Sequence, residues 1–464
     1  MSGRRSIWQR HRSKLYFSSA ILATLLTTGA VSLYLIKKWL LRQQLKISEQ
    51  QFVKEQIKRR FTQTQQDALY TIYELMPVLS LVLAKDLDVD EIVGELKGKK
   101  LSRHLSQRSA SVKEDGEQDG LSSGMSTSLT DAQAPRASFA GQDPTAKTKA
   151  ELWNELKLKS LTKLCTVIYS TSSLLLLTRL QLNILARREY IETAVKVAVD
   201  KESSQSSIAG WLANWWHAET WAAVQEDEKE PEGPELSEKA QQARRSSYIN
   251  EQAFLSFSWW LLNRGWLQFK SLAENLVERH FGDLNPRDML TVEEFGGRLS
   301  SVLHAINQEL LVKTDAEQAL QMILLPDPNL EQFVLQQTLD SEALKLLYED
   351  NTVLRQLLNE TTKCIESTAS LIVLESLVND AYQFAMSLIA DNVSKKSKQK
   401  IDQDNSEASE PKFQMALFSI TSKHCCDEML KSGIVSMNNL FLQRLDSITE
   451  LDDLSASVYS NFGF

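Results

Sequence analysis

Lys149 to Asp200 reads KAELWNELKLKSLTKLCTVIYSTSSLLLLTRLQLNILARREYIETAVKVAVD, and the fold turns on this stretch. It holds neither Gly nor Pro, so nothing in it breaks a helix. No charge occurs between Lys163 and Arg179. Apolar or small residues recur at Leu156, Ser160, Leu164, Val167, Thr171 and Leu174, the spacing of one helical face. A second stripe, Leu158, Leu161, Cys165, Ile168 and Leu175, widens that face until it is nearly all-round, the pattern of a central buried helix. A membrane span is the rival reading. The uncharged run is about fifteen residues long and rich in Ser and Thr, whereas a span needs roughly 20 mostly apolar ones. Trp153 stands one turn ahead of the stripe, where a large aromatic caps a core or offers an anchor to a partner.

Working outward, 464 residues suffice for one large domain or two ordinary ones. Leu, Ala, Gln, Glu and Lys dominate and Gly and Pro are few, which points to an all-α protein. The net charge of −8 argues against nucleic acid as a partner. The four cysteines, at 165, 364, 425 and 426, suggest reduced thiols in a cytosol-facing protein. His424-Cys425-Cys426 lacks a second ligand pair at zinc spacing and reads as helix packing.

Residues 1–14 form a short basic tail, and Leu15 to Ile36 is uncharged and long enough to span a bilayer. Arg4, Arg5, Arg10, Arg12 and Lys14 precede it, and Lys37, Lys38 and Arg42 follow. A cleavable signal is the competitor, with small residues at Thr28-Gly29-Ala30, but the apolar run continues past them. The sequence therefore predicts a transmembrane anchor at 15–36 and a cytosolic helical-bundle domain over 37–464. Asn359-Glu360-Thr361 and Asn392-Val393-Ser394 are then chance matches to glycosylation acceptors. From Lys37 to Met76 neither Gly nor Pro occurs, so one long helix is predicted, kinked or ended by Pro77. Its early part carries Lys54, Lys58, Arg59 and Arg60, a solvated face or an attraction to anionic headgroups of the lipid bilayer.

Asp88-Val89-Asp90-Glu91 has the form of a capping box and opens a short helix stopping near Gly98. Its Ile92, Val93 and Leu96 share a face and must lie against something, the Trp153 helix being the nearest candidate. Three low-complexity stretches, 101–148, 225–247 and 394–412, read as disordered insertions in one helical domain. Ile208 to Val224 contains four tryptophans, read as a helix stapled to the bundle, with an interfacial membrane element as the rival. Further helices are predicted over Tyr248–His280, Pro286–Val312, Asp340–Val393 with breaks, and Lys412–Asp446. The expected architecture is all-α: an elongated helical bundle with long helices and disordered insertions, preceded by one N-terminal transmembrane helix.

No phosphate loop, dinucleotide glycine pattern, zinc histidine pair or nucleophile elbow is present, so no cofactor is predicted and binding is favoured over catalysis. The residues suggest a groove that takes a partner's amphipathic helix, with Trp153 as anchor and Ile92, Val93 and Leu96 as the opposite wall. Lys149 and Lys97 would form a polar rim facing acidic residues of the ligand.

ELWNELK at 151–157 followed by YSTSSLLLLTRLQLNILARREY at 169–190 resembles the signature helix of the peroxin-three family of peroxisomal membrane-protein import receptors. The anchor with basic flanks, ELMPVLS at Glu74–Ser80 and LNPRDM at Leu284–Met289 add to the resemblance, which follows the fungal type. It implies a receptor in the peroxisomal membrane that binds the farnesylated import chaperone, peroxin nineteen, through the chaperone's N-terminal helix. Delivery of peroxisomal membrane-protein cargo would follow, and some fungal members also recruit inheritance and pexophagy factors. The matching groove positions are Trp153, Leu96 and Lys149, with Asn183 a further one. Two rivals stand beside this reading: a signal-anchored receptor or tether on another organelle such as the mitochondrial outer membrane, and a membrane-anchored enzyme without a familiar motif.

Overall fold

Every residue from Ser160 to Gln181 is buried, so the stretch that opened the sequence forms a central buried helix. The structure is a computed structural model that describes residues 37–38, 51, 54–110, 147–203, 234–312, 316–398, 411–431 and 438–461. The predicted anchor, the Trp-rich segment and much of the three insertions lie outside the described residues. The chain divides into two compact units, Met1–Gln63 and Thr64–Phe464. In the first, the described residues are helical.

The second unit is an all-α bundle with one minimal β-ribbon. Its first helices are α1 (Lys54–Asp86, mostly in this unit), α2 (Val89–Ala110), α3 (Lys149–Ser203) and α4 (Pro234–Ser256). After a π-helical turn at Leu261–Gly265 come α5 (Trp266–Phe281), strand β1 (Met289–Leu290) and α6 (Val292–Asn307). There follow α7 (Ala316–Leu324), α8 (Glu331–Thr338), α9 (Ser341–Glu349), α10 (Thr352–Ile365) and α11 (Thr368–Lys398). Strand β2 (Phe413–Gln414), α12 (Met415–Met429), α13 (Leu440–Asp446) and α14 (Thr449–Ser460) complete the chain.

Helices α5, α12, α11, α14, α2 and α10 pack around α3, which is why α3 is apolar on nearly every side. Each fully buried Leu or Phe there contributes about 1.5–3 kcal/mol. Phe295 of α6 stacks on Phe418 of α12 with ring centroids 4.3 Å apart. Among the described residues, two helices are long and apolar enough to cross a membrane, α1 and the part of α3 up to Val195. The apolar window of α3 is wholly buried inside the fold, whereas a third of that of α1 is.

Buried polar groups fasten the far part of α3. Arg179 bonds to Gln65 of α1 and to Asp446 at the end of α13. Arg187 bonds to Glu360 of α10 and donates to the carbonyl of Val458 in α14 at 3.1 Å.

Three local predictions are corrected. Pro77 does not end α1: Met76, Leu79 and Leu83 are buried on one face, and their packing carries the helix on to Asp86. Gly98 does not end α2, which runs to Ala110; each of its two glycines, Gly94 and Gly98, costs only about 1 kcal/mol in a helix. Pro286 does not open a helix. Residues 284–288 form a turn into β1, which pairs antiparallel with β2 as Met289 with Gln414 and Leu290 with Phe413. Helix α6 starts at Val292 instead, because Thr291 and Glu294 form a reciprocal capping box with bonds of 3.0 and 2.8 Å.

Candidate docking site

Helices α2 and α3 meet along a seam separate from the main core. Val89, Ile92 and Leu96 of α2 pack on Leu152 and Leu156 of α3, with Val93, Trp153 and Ile420 half-buried against them. The spacings 89–92–96 and 152–156 are those of one helical face, so the two stripes interdigitate along a single line. Both helix starts are capped locally. Asp88 Oδ1 accepts from the Glu91 amide at 3.0 Å. Thr148 and Glu151 bond reciprocally, at 2.7 and 3.3 Å, and so set the point where α3 begins. Trp153 therefore stands within the first turns of an ordered helix.

The predicted groove residues do come together here, in two layers. Ile92 and Leu96 are 4% and 7% exposed and form the floor of the seam. Val93 and Trp153 are half-buried and sit at its edge. Lys97 and Lys149 are both exposed, and among the described residues neither makes an ion pair. Asn183 is not part of this site. Thirty residues further along α3 is a separation of roughly 45 Å at the helical rise of 1.5 Å per residue. There it is fully buried, accepting from Gln65 Nε2 at 2.8 Å and donating to the Arg179 carbonyl at 2.7 Å.

Residues the sequence reading did not place complete the rim. Lys99 donates to the carbonyl of Lys147, joining the middle of α2 to the residues just before α3. Lys147 lies 2.6 Å from Glu155 and Lys159 lies 3.0 Å from the same carboxylate. These contacts, the Lys147 hydrogen bond foremost, hold the Glu155 carboxyl below its usual range despite partial burial. Ile420 and Lys423 arrive from α12, and Lys423 lies 2.8 Å from Asp90. No local pattern announces them. Ile420 is half-buried on the opposite side of a helix whose Phe418, Cys425 and Cys426 fill the main core.

Chemically, the seam offers a half-buried indole and Val93 beside the exposed ammonium groups of Lys97 and Lys149, a surface suited to an amphipathic helix with acidic flanks. Among the described residues no group of three or more His, Cys, Asp or Glu is placed to hold a metal. A concavity of about 730 Å³ lies elsewhere, between α6 and α11, and is open to solvent.

A helical bundle with a lysine-rimmed apolar seam outside its core defines an interaction protein. Comparison with known proteins makes this specific: the chain belongs to the Peroxin-3 family, whose model matches residues 6–461. It is 52% identical to the peroxisomal biogenesis factor 3 of Eremothecium gossypii, over 98% of each chain. It is 49% identical to that of Kluyveromyces lactis over the whole of both chains. Identity to that of Saccharomyces cerevisiae is 43%, over 99% of this chain and 96% of the relative.

Proposed function

We propose that this chain is a docking receptor of the peroxisomal membrane, anchored by residues 15–36 with its bulk in the cytosol. In this reading it takes the N-terminal amphipathic helix of the import chaperone, peroxin nineteen, into the α2–α3 seam. Membership of the Peroxin-3 family supplies the coarse assignment, a membrane protein of peroxisome biogenesis. The observation that carries the finer one is the position of Trp153, half-buried beside Val93 over the floor of Ile92 and Leu96. An aromatic side chain in such a place is the kind of anchor that dominates a helix-in-groove interface. Lys97 and Lys149 supply the charge that would orient an acidic-flanked helix. Four free cysteines are compatible with a reducing, cytosolic side.

The test is a titration of the full-length protein in lipid nanodiscs with a peptide spanning the chaperone's N-terminal helix. The native chain is expected to bind, and Trp153→Ala to lose about 2 kcal/mol or roughly thirtyfold in affinity while keeping its helical content. Equal binding by both would sink the site. No binding by a folded native chain would sink the receptor reading.

A further inference from the structure

Lys157 follows Trp153 by one helical turn on α3, and there its side chain is fully buried in the protein. Its Nζ donates to the carbonyl oxygens of Phe281 at 2.6 Å and Leu284 at 2.5 Å, with that of Gly282 at 3.5 Å. An ammonium has three donors and no acceptor, and here three carbonyls face it. Phe281 and Gly282 close α5, whose last carbonyls have no helical partner and favour a cation. Burial draws the Lys157 pKa below its usual 10.5, and Asp283 and Asp288 push back against that.

The turn held in this way is a seat for another helix. The carbonyl of Asp288 accepts from the Met415 amide, and that of Pro286 from the Ala416 amide, both at 2.9 Å. Met415 and Ala416 are the first residues of α12. One turn further on, α12 delivers Ile420 to the seam, and a turn beyond that Lys423 to Asp90 of α2. A continuous path of hydrogen bonds and packing thus runs from Lys157, through the 281–288 turn and α12, back to the seam that begins one turn away at Trp153.

We propose that Lys157 is a positioning residue for the docking seam: by holding the 281–288 turn it seats α12, and through Ile420 it fixes the third wall against which a partner helix packs. The inference rests on the docking reading, and the experiment separates the failure of one from the failure of the other.

Lys157→Met keeps most of the side-chain bulk and removes the three donors. In the full-length protein in nanodiscs, amide exchange at Met415 and Ala416 is expected to quicken about tenfold or more, exceeding any change in α11. The same peptide is expected to bind about tenfold more weakly to this variant. In an Ile420→Ala background, Lys157→Met should add less than about twofold, because its effect travels through Ile420. An equal further loss in both backgrounds would mark a general loss of stability and overturn the proposal. If Lys157→Met fails to fold, Ile420→Ala alone decides: native affinity in that variant overturns the proposal, and a loss of about fivefold or more supports it. If Trp153→Ala binds as the native chain does, the docking reading falls. The exchange measurement then still decides whether Lys157 seats α12, unchanged exchange at Met415 and Ala416 being the contrary result.

Discussion

The ammonium of Lys423 lies 2.8 Å from Oδ1 of Asp90, so α12 and the first turn of α2 are joined outside the apolar seam that Ile420 helps to close. The same ammonium lies 2.7 Å from Asp427. Burial lowers its pKa, and the two carboxylates more than offset this, leaving it above its usual value. Asp90 is 71% exposed, so water screens the pair, and such contacts contribute about 0–1 kcal/mol. Lys423→Ala should therefore lower the unfolding free energy in a urea titration by less than about 1 kcal/mol. A loss beyond about 2 kcal/mol would show that α2 depends on this contact far more than its exposure allows.

Reversing the charge of the rim should act on encounter rather than on folding. Lys97 and Lys149 are exposed, so Lys97→Glu with Lys149→Glu is expected to leave the melting temperature within a few degrees. Stopped-flow association of the peptide should slow about threefold or more at low salt, and the difference should fade as salt rises. A rate independent of salt in the native chain would remove the lysines from the mechanism.

Glu155 gives a pH signature. Lys147 and Lys159 hold its carboxyl below the usual 4.5, against the opposing effect of burial. A carboxylate with a depressed folded-state pKa contributes stability that is present above the unfolded value and is lost as pH falls through the folded value. Native protein should therefore lose more stability than Glu155→Gln when the pH is lowered from about 5 through the range below 4.5. Parallel pH profiles for the two proteins would contradict the ion-pair geometry.

At the other part of α3, Arg179 is 2% exposed and faces Asp446 and Gln65. Arg179→Ala leaves the Asp446 carboxylate without its cation in a site where burial already raises its pKa. The expected cost is about 3–5 kcal/mol in a guanidinium titration, the range for a broken buried pair. Peptide affinity at the seam should hardly change, because the two places are roughly 40 Å apart along the helix.

Gly265 occupies the last position of the π-helical turn, and a Cβ there would drive into the carbonyl oxygen of Ile323 in α7. Trp260 fixes the same helix by donating its indole N–H to the Met322 carbonyl at 3.0 Å. Gly265→Ala must therefore displace α7, and a loss of about 1–3 kcal/mol is expected on thermal unfolding. An unchanged melting temperature would show that α7 yields freely at this point.

The bundle axis was legible because burial on every side leaves an unambiguous mark: between Lys163 and Arg179 the helix carries no charge, and every residue there is buried. The pairing of Leu96 with the Trp153 helix was legible for a related reason, since a short amphipathic helix with three apolar residues on one face must cover them. The β-ribbon was not. Two-residue strands have no periodicity, and their pairing joins Met289 to Gln414 across a distance in sequence that no local pattern spans. Lys157 was hidden differently. In sequence it is one more lysine in ELKLKS, and only burial and the three carbonyls around it distinguish it from Lys159. Asn183 shows the converse, a position suggested by family likeness that the fold uses to bind Gln65.

The enclosure of α3 also imposes an order of events during synthesis. Part of the cover comes from the late helices α11, α12 and α14, and Arg187 reaches the carbonyl of Val458 only when nearly the whole chain exists. A ribosome adding about 5–20 residues per second needs roughly 13–50 seconds to pass from the end of α3 to α14. Throughout that interval the nascent chain displays a helix apolar enough to be mistaken for a membrane span. A truncation before α14 is expected to leave the part of α3 that this helix covers exposed permanently.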